Sequence, residues 1–325
     1  MTILRRAFLA WTLGCLTVPL ACAQQTESYA TRPVTMVVPF APGASTDAVA
    51  RMLAEELKVR LKQPVNVDNK PGGNTLIATN FVRTQQPDGH VLYFASSPAI
   101  EQPALRPKLA NFDPVSDLTP IAYIGQLQFL LVVTPNLPAS NFEEFLHLAK
   151  TRPNGLSMGS IGIGSADHLA SELIAQKTGA KLMNVPYKGT AAVLVDVAAG
   201  TIDGKFADVG STRALVEAGK LRVIASADAK RPPGSPLAAI SETLPGVDVP
   251  AWFVLLGPRG MAPEVVQQLR GHIDAILKTQ EVTAKMQSRG IETAEMTLPE
   301  LRRLISDRMN SVKQLIKDRN LKIED

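Results

Sequence analysis

Short apolar runs alternate with amphipathic stretches along most of this 325-residue chain. Val34 to Val38, Val91 to Ala95, Phe129 to Val133, Lys205 to Ala207, Val223 to Ala225 and Phe253 to Leu256 read as buried strands. Between them, Phe142 to Lys150, Ala166 to Thr178 and Ala191 to Ala199 carry a helical pattern. Val49, Leu53, Leu57 and Leu61 recur every four residues and share one helix face. Two longer stripes follow near the end. One runs through Val265, Val266, Leu269, Ile273, Ile276 and Leu277, the other through Leu301, Leu304, Ile305, Val312, Leu315 and Ile316. Pro263 and Pro299 mark the starts of these two helices. The alternation predicts α/β layers with largely parallel sheets, without internal repeats or low-complexity segments.

The N-terminus breaks this pattern. Arg5 and Arg6 precede an apolar run from Ala7 to Leu20, and Ala21-Cys22-Ala23 fits a small-x-small cleavage site. Residues 1–23 therefore read as a cleavable export signal, which places the mature chain in the periplasm. Lipid anchoring at Cys22 is the competing outcome, although Pro19 stands where a lipid-attachment motif wants Leu. No later run is long and apolar enough to span a bilayer.

Composition narrows the chemistry. Both cysteines, Cys15 and Cys22, lie in the signal, so cleavage after Ala23 removes disulfides, thiol catalysis and cysteine-held zinc. The formal charge of +4 falls to +2 without Arg5 and Arg6, and the charges are scattered. Nothing here suits nucleic acid. The four histidines, His90, His147, His168 and His272, show no metal spacing. No nucleophile elbow, zinc-hydrolase helix or paired-carboxylate motif is present, and no cofactor is expected.

Four segments carry candidate binding chemistry. The first is Val37 to Asp47, where a strand enters a turn built on Pro39, Pro42 and Gly43, and a helix follows at once. Helix-start N–H groups receive anions readily, so Gly43 to Thr46 form a candidate carboxylate seat. Ser45, Thr46 and Asp47 serve equally as helix caps, and the two roles are compatible. The second is Met158 to His168, with Gly159, Gly162 and Gly164 before a helix, a place for close backbone approach. It fits neither a dinucleotide nor a phosphate-loop fingerprint. His168 alone reads as a structural residue that could bond a neighbouring carbonyl. The third is Val185 to Thr190, in which Tyr187 offers a flat body with a polar tip and Lys188 a mobile charge. The fourth is Phe206 to Ser211, where Asp208 would repel a carboxylate but suit an ammonium or hydroxyl. Ser96 and Ser97, after the strand at Val91, are less specific additions.

These segments also carry a resemblance. Val37-Val38-Pro39-Phe40-Ala41-Pro42-Gly43-Ala44-Ser45-Thr46-Asp47 is similar to the first strand and turn of the receptors of tripartite tricarboxylate transporters, the Bug family of solute-binding proteins. Ala44 stands where that family has a second glycine. The likeness continues through Gln63 to Gly73, Pro87 to His90, Val185 to Gly189, Ala218 to Arg222 and Trp252-Phe253, from about residue 29 onward. Met158 to Leu169 is similar to the family's glycine-rich S-A-G-x-G-x-x-x-H-L segment. Ala207 and Asp208 depart from the family's F-D-N, which puts a pure tricarboxylate ligand in doubt.

The resemblance implies a type II periplasmic-binding fold, two α/β lobes with an interlobe ligand cleft. Residues 29–124 and 250–325 would form lobe one and residues 125–249 lobe two, with crossovers near Gly125 and Val249. Candidate ligand-binding residues are Phe40, Gly43, Ala44, Ser45, Thr46, Asp47, Ser96, Ser97, Gly159, Ser160, Gly164, Ser165, His168, Tyr187, Lys188 and Asp208. The implied function is capture of a small carboxylate by a monomeric receptor and its delivery to a two-component integral membrane permease. A sensing protein acting on a membrane kinase, or a hydrolase, are the alternatives.

Overall fold

The structure, a computed structural model, describes residues 29–43, 45–228, 230–231, 235–247 and 251–321. The export signal, the lipidation candidate Cys22, the cleft candidate Ala44 and the predicted crossover at Val249 lie outside the described residues.

In chain order the elements are β1 (Val34–Val38), α1 (Ser45–Leu61), β2 (Val65–Asn69), a 3-10 turn (Gly73–Thr75), α2 (Leu76–Arg83), β3 (Val91–Ser96), α3 (Ser97–Leu105) and β4 (Leu118–Leu127). Then come β5 (Phe129–Val133), α4 (Phe142–Thr151), β6 (Leu156–Ser160), α5 (Ala166–Thr178), β7 (Leu182–Pro186), α6 (Thr190–Ala199), β8 (Gly204–Asp208), α7 (Val209–Glu217) and β9 (Arg222–Ser226). The chain closes with α8 (Ile240–Thr243), β10 (Ala251–Pro258), α9 (Pro263–Leu277), α10 (Gln280–Ser288), β11 (Ile291–Glu292) and α11 (Leu298–Arg319).

These elements build two sheets, one per lobe. The first has the order β11-β4-β10-β3-β1-β2 and the second β7-β6-β8-β5-β9. β1 is parallel to β2 and β3, and β6 is parallel to β7 and β8. The sheets are mixed and not largely parallel as the alternation predicted: β11 runs antiparallel to β4, and two further strands run against both of their neighbours. β10 runs antiparallel between β3 and β4, and β5 runs antiparallel between β8 and β9. Each follows, in sequence, a strand of the opposite sheet, so each enters its own sheet from the other lobe. Gly125, near which the sequence places the first crossover, lies within β4 opposite Phe253. The passage between sheets falls at Gln128, the single residue between β4 and β5.

Alternating side chains explain why the strands read as apolar runs. On β10, Ala251, Phe253 and Leu255 join one core cluster while Trp252, Val254 and Leu256 join another on the opposite face. β5 divides likewise, with Leu131 and Val133 on one face and Leu130 and Val132 on the other. The α1 stripe of Val49, Leu53, Leu57 and Leu61 is fully buried against the first sheet. Each such side chain contributes roughly 1.5–3 kcal/mol by leaving water. No helix among the described residues is long and apolar enough to cross a membrane.

Contacts also join the lobes. Leu169 and Leu173 of α5 pack into the cluster that α3 and α11 build in lobe one. Gln176 donates to Asp318 at 3.0 Å, and Arg213 donates to the Ser288 carbonyl at 2.6 Å.

Candidate functional site

Parallel βα units put helix N-termini at the carboxyl edge of a sheet, where open α/β folds bind ligands. Here the two sheets meet around one cavity of about 510 Å³, a size ordinary for small-molecule sites. Six helix starts reach its lining. They are Ser45 and Thr46 of α1, Thr75 before α2, Ser96 before α3, Ser165 to Asp167 at α5, Thr190 of α6, and Asp208 before α7. Phe40, Leu127, Phe129, Phe206, Ala207, Ala251 and Phe253 supply an apolar wall, and the loop from Ile161 to Gly164 another. Gln102 and Arg106 close one side.

The cavity therefore takes Phe40, Ser45, Thr46, Ser96, Gly164, Ser165 and Asp208 from the sequence-predicted set. The other described candidates do not line it. Asp47 is almost wholly buried, and its carboxylate receives the Gly43 N–H at 2.9 Å, Arg51 Nε at 3.0 Å and Asn69 Nδ2 at 2.9 Å. Burial alone would raise its pKa, but these hydrogen bonds outweigh burial and hold it below the usual carboxylate range. Asp47 thus fixes the turn, and the Gly43 amide expected to receive a ligand donates to Asp47.

The glycine-rich loop behaves in the same way. The Gly164 N–H donates to His168 Nδ1 at 3.0 Å, and the Gly162 N–H to Ser160 Oγ at 3.3 Å. Burial lowers the His168 pKa against the opposing pull of Glu172 and Asp167, which suits a neutral ring accepting at Nδ1. His168 is structural as expected, but its partner is a backbone N–H and not the carbonyl the sequence suggested, because the neutral ring accepts at Nδ1. Gly159 lies in β6, where a Cβ would collide with Val193 and Ile202. Ser97 is fully buried as the first residue of α3. Tyr187 turns to α6, its hydroxyl 2.5 Å from Asp196 Oδ2, and Lys188 is exposed beside it. Asp208 caps α7, accepting from Ser211 N at 2.9 Å and Ser211 Oγ at 2.8 Å, so its charge is set against that helix start.

Several cavity residues were not read from the sequence. Lys205 of β8 is 2% exposed and pairs with Asp167, whose carboxylate also receives the Ile161 N–H at 3.1 Å and the Ser165 hydroxyl. A lysine inside an apolar strand was the available signal, because a buried charge requires a partner. Arg106 donates to Gln102 Oε1 at 3.0 Å and across the cleft to the Ile163 carbonyl at 3.2 Å. Its position after α3 gives no periodic signal. Asn74 and Thr75 lie just beyond the stretch ending at Gly73 that carried the resemblance, and nothing in their types marks them as cavity residues.

Comparisons with known proteins point one way. Residues 49–321 match the profile of the tripartite tricarboxylate transporter family receptor. Protein BugT of Bordetella pertussis is 28% identical, covering 95% of this chain and 95% of its own. The solved structure of Rpa4515 of R. palustris with adipate superposes with a TM-score of 0.79 at 32% identity, covering 89% of this chain and 98% of that one. MatC of Rhodopseudomonas palustris, with bound malate, superposes with a TM-score of 0.75 at 27% identity, covering 88% and 99%.

Proposed function

Since this chain belongs to the tripartite tricarboxylate transporter receptor family, we propose that it is a periplasmic receptor that binds a small carboxylate between its lobes and presents it to a membrane transporter. The observation that carries this reading is the convergence of six helix starts, with Arg106, on one interlobe cavity. A helix start that carries no acid of its own favours an anion by roughly 0.3–1 kcal/mol. The adipate and malate held by the two Rhodopseudomonas proteins agree with a carboxylate ligand.

Binding here needs no covalent step. A ligand touching both lobes lowers the free energy of the closed arrangement, and it can do so only by its differential affinity for that arrangement. A transporter then distinguishes loaded from empty receptor. The permease is a two-component integral membrane assembly, and the receptor acts as a monomer. In the same reading the N-terminal signal is cleaved and the protein has no turnover activity.

The test is calorimetric titration with a carboxylate panel, joined to small-angle scattering. A bound carboxylate should raise the melting temperature and lower the radius of gyration together. Absence of binding across the panel removes the reading. Thermal stabilisation without compaction places the ligand within one lobe.

A further inference from the structure

We propose that the ligand is a monocarboxylate with an apolar body, and that its carboxylate docks at the adjoining starts of α2 and α3. This deepens the receptor reading and rests on it.

The charges argue for a single carboxylate. Four charged side chains line the cavity, Arg106 and Lys205 against Asp167 and Asp208, and these balance. Three helix starts already carry their own acid: Asp47 in the first turn of α1, Asp167 in α5, and Asp208 capping α7. The first turns of α2, α3 and α6 carry none. One ligand carboxylate finds uncommitted helix starts. Each further carboxylate enters a largely apolar, desolvated space with no matching side-chain charge, which is costly.

The corner between α2 and α3 is built like a seat awaiting an acceptor. Thr75 and Ser96 occupy the N-cap positions of these helices, yet neither side chain caps its helix. Both residues are 6% exposed, and neither hydroxyl oxygen has a hydrogen-bond partner. Buried hydroxyls are normally satisfied, so two orphans on one cavity wall call for a ligand. The backbone adds a second sign. Asn74 (φ 50°) and Thr75 (φ 78°) both lie in the left-handed region, which a β-branched residue resists. Strain of this kind is held in place by surrounding structure and collects at ligand clamps.

The rest of the cavity fits an apolar body. Phe40 and Phe129 line it half-buried. Ile161 and Ile163, on the facing loop, are 48% and 40% exposed, large apolar side chains left open at a cleft. A ring or short alkyl chain lying here would cover both, at about 25 cal/mol per Å² removed from water.

The experiment titrates purified protein with benzoate, hexanoate, malate and citrate. Benzoate or hexanoate should bind at least about tenfold more tightly than malate and citrate, a difference of about 1.4 kcal/mol. Malate or citrate binding as tightly or better overturns the proposal while leaving the carboxylate receptor intact. Binding of none of the four overturns both. Ser96→Ala separates a ligand role from a structural one. Removing an orphan hydroxyl should leave the melting temperature unchanged or raised, while affinity for the bound monocarboxylate falls about tenfold. Unchanged affinity, or a parallel loss of stability and affinity, overturns the seat. Ile161→Ser should weaken benzoate or hexanoate several-fold. Undiminished affinity there overturns the apolar contact.

Discussion

The Asp167 carboxylate at the start of α5 meets the Lys205 ammonium from β8, and the two side chains are only 4% and 2% exposed. Their union ties the loop from Ile161 to Ser165 to the second sheet, because Asp167 also holds the Ile161 N–H and the Ser165 hydroxyl. Removing one member leaves a buried charge alone. Lys205→Met should therefore destabilise the protein by about 3–5 kcal/mol in urea denaturation. Adding Asp167→Asn, which keeps an acceptor oxygen, should restore most of that loss. A cost below about 1 kcal/mol for the single change would show that water reaches the pair.

Arg106 spans the cleft from the end of α3 to the Ile163 carbonyl of lobe two. Arg106→Ala should lower carboxylate affinity several-fold, by removing a positive charge from the cavity lining and a tie between the lobes and not by breaking a direct bond to the carboxylate. It should also enlarge the ligand-free radius of gyration in small-angle scattering. Arg106→Lys should recover only part, since an ammonium cannot make the same fork of bonds. Affinity within twofold of wild type would remove Arg106 from the binding surface.

Two glycines with similar backbone should behave differently. Gly164 (φ +83°) would place a Cβ 3.4 Å from Leu105 and 3.7 Å from Arg106 across the cleft. Gly43 (φ +86°) would place one in open space. Both Gly→Val changes carry left-handed strain of about 1–3 kcal/mol. Only Gly164→Val should also weaken ligand binding, measured by calorimetry at a temperature where both variants remain folded. Equal losses of affinity would point back to the Gly43 turn as a ligand contact.

A pH effect is expected on the opposite side of the interlobe junction. Burial raises the Asp228 pKa, and nearby Glu292 adds to it, against the hydrogen bond from the Ser226 hydroxyl. A carboxyl whose folded pKa is raised binds its proton more tightly in the folded state. Stability therefore falls as pH rises from the ordinary carboxylate range through the raised folded value. Asp228→Asn should flatten that fall, gaining melting temperature over wild type at pH 7 but not at pH 3. A gain independent of pH would assign the effect to packing.

Much of the framework was legible before any coordinates. β1, β5 and α5 fall where the patterns at Val34, Phe129 and Ala166 place them, because period-2 and period-3.6 burial is written locally. The weaker strands were not. β2 has one buried position, Val65, and β7 none, so neither presents a clear apolar run. Within the site, local reading found the loops but assigned their amides to a ligand. Asp47 and His168, each four residues beyond the glycine it serves, take those amides instead.

The sequence by itself determined the α/β alternation, the glycine- and proline-shaped turns and the family. These depend on neighbours along the chain, whose spacing sets which side chains share a face. Only the tertiary structure decided the composition of the cleft. Arg106, Lys205 and the Thr75–Ser96 corner come from separate elements of two sheets and meet on one cavity. Their charges, burial and unmet hydrogen bonds are properties of that meeting, which no local pattern encodes.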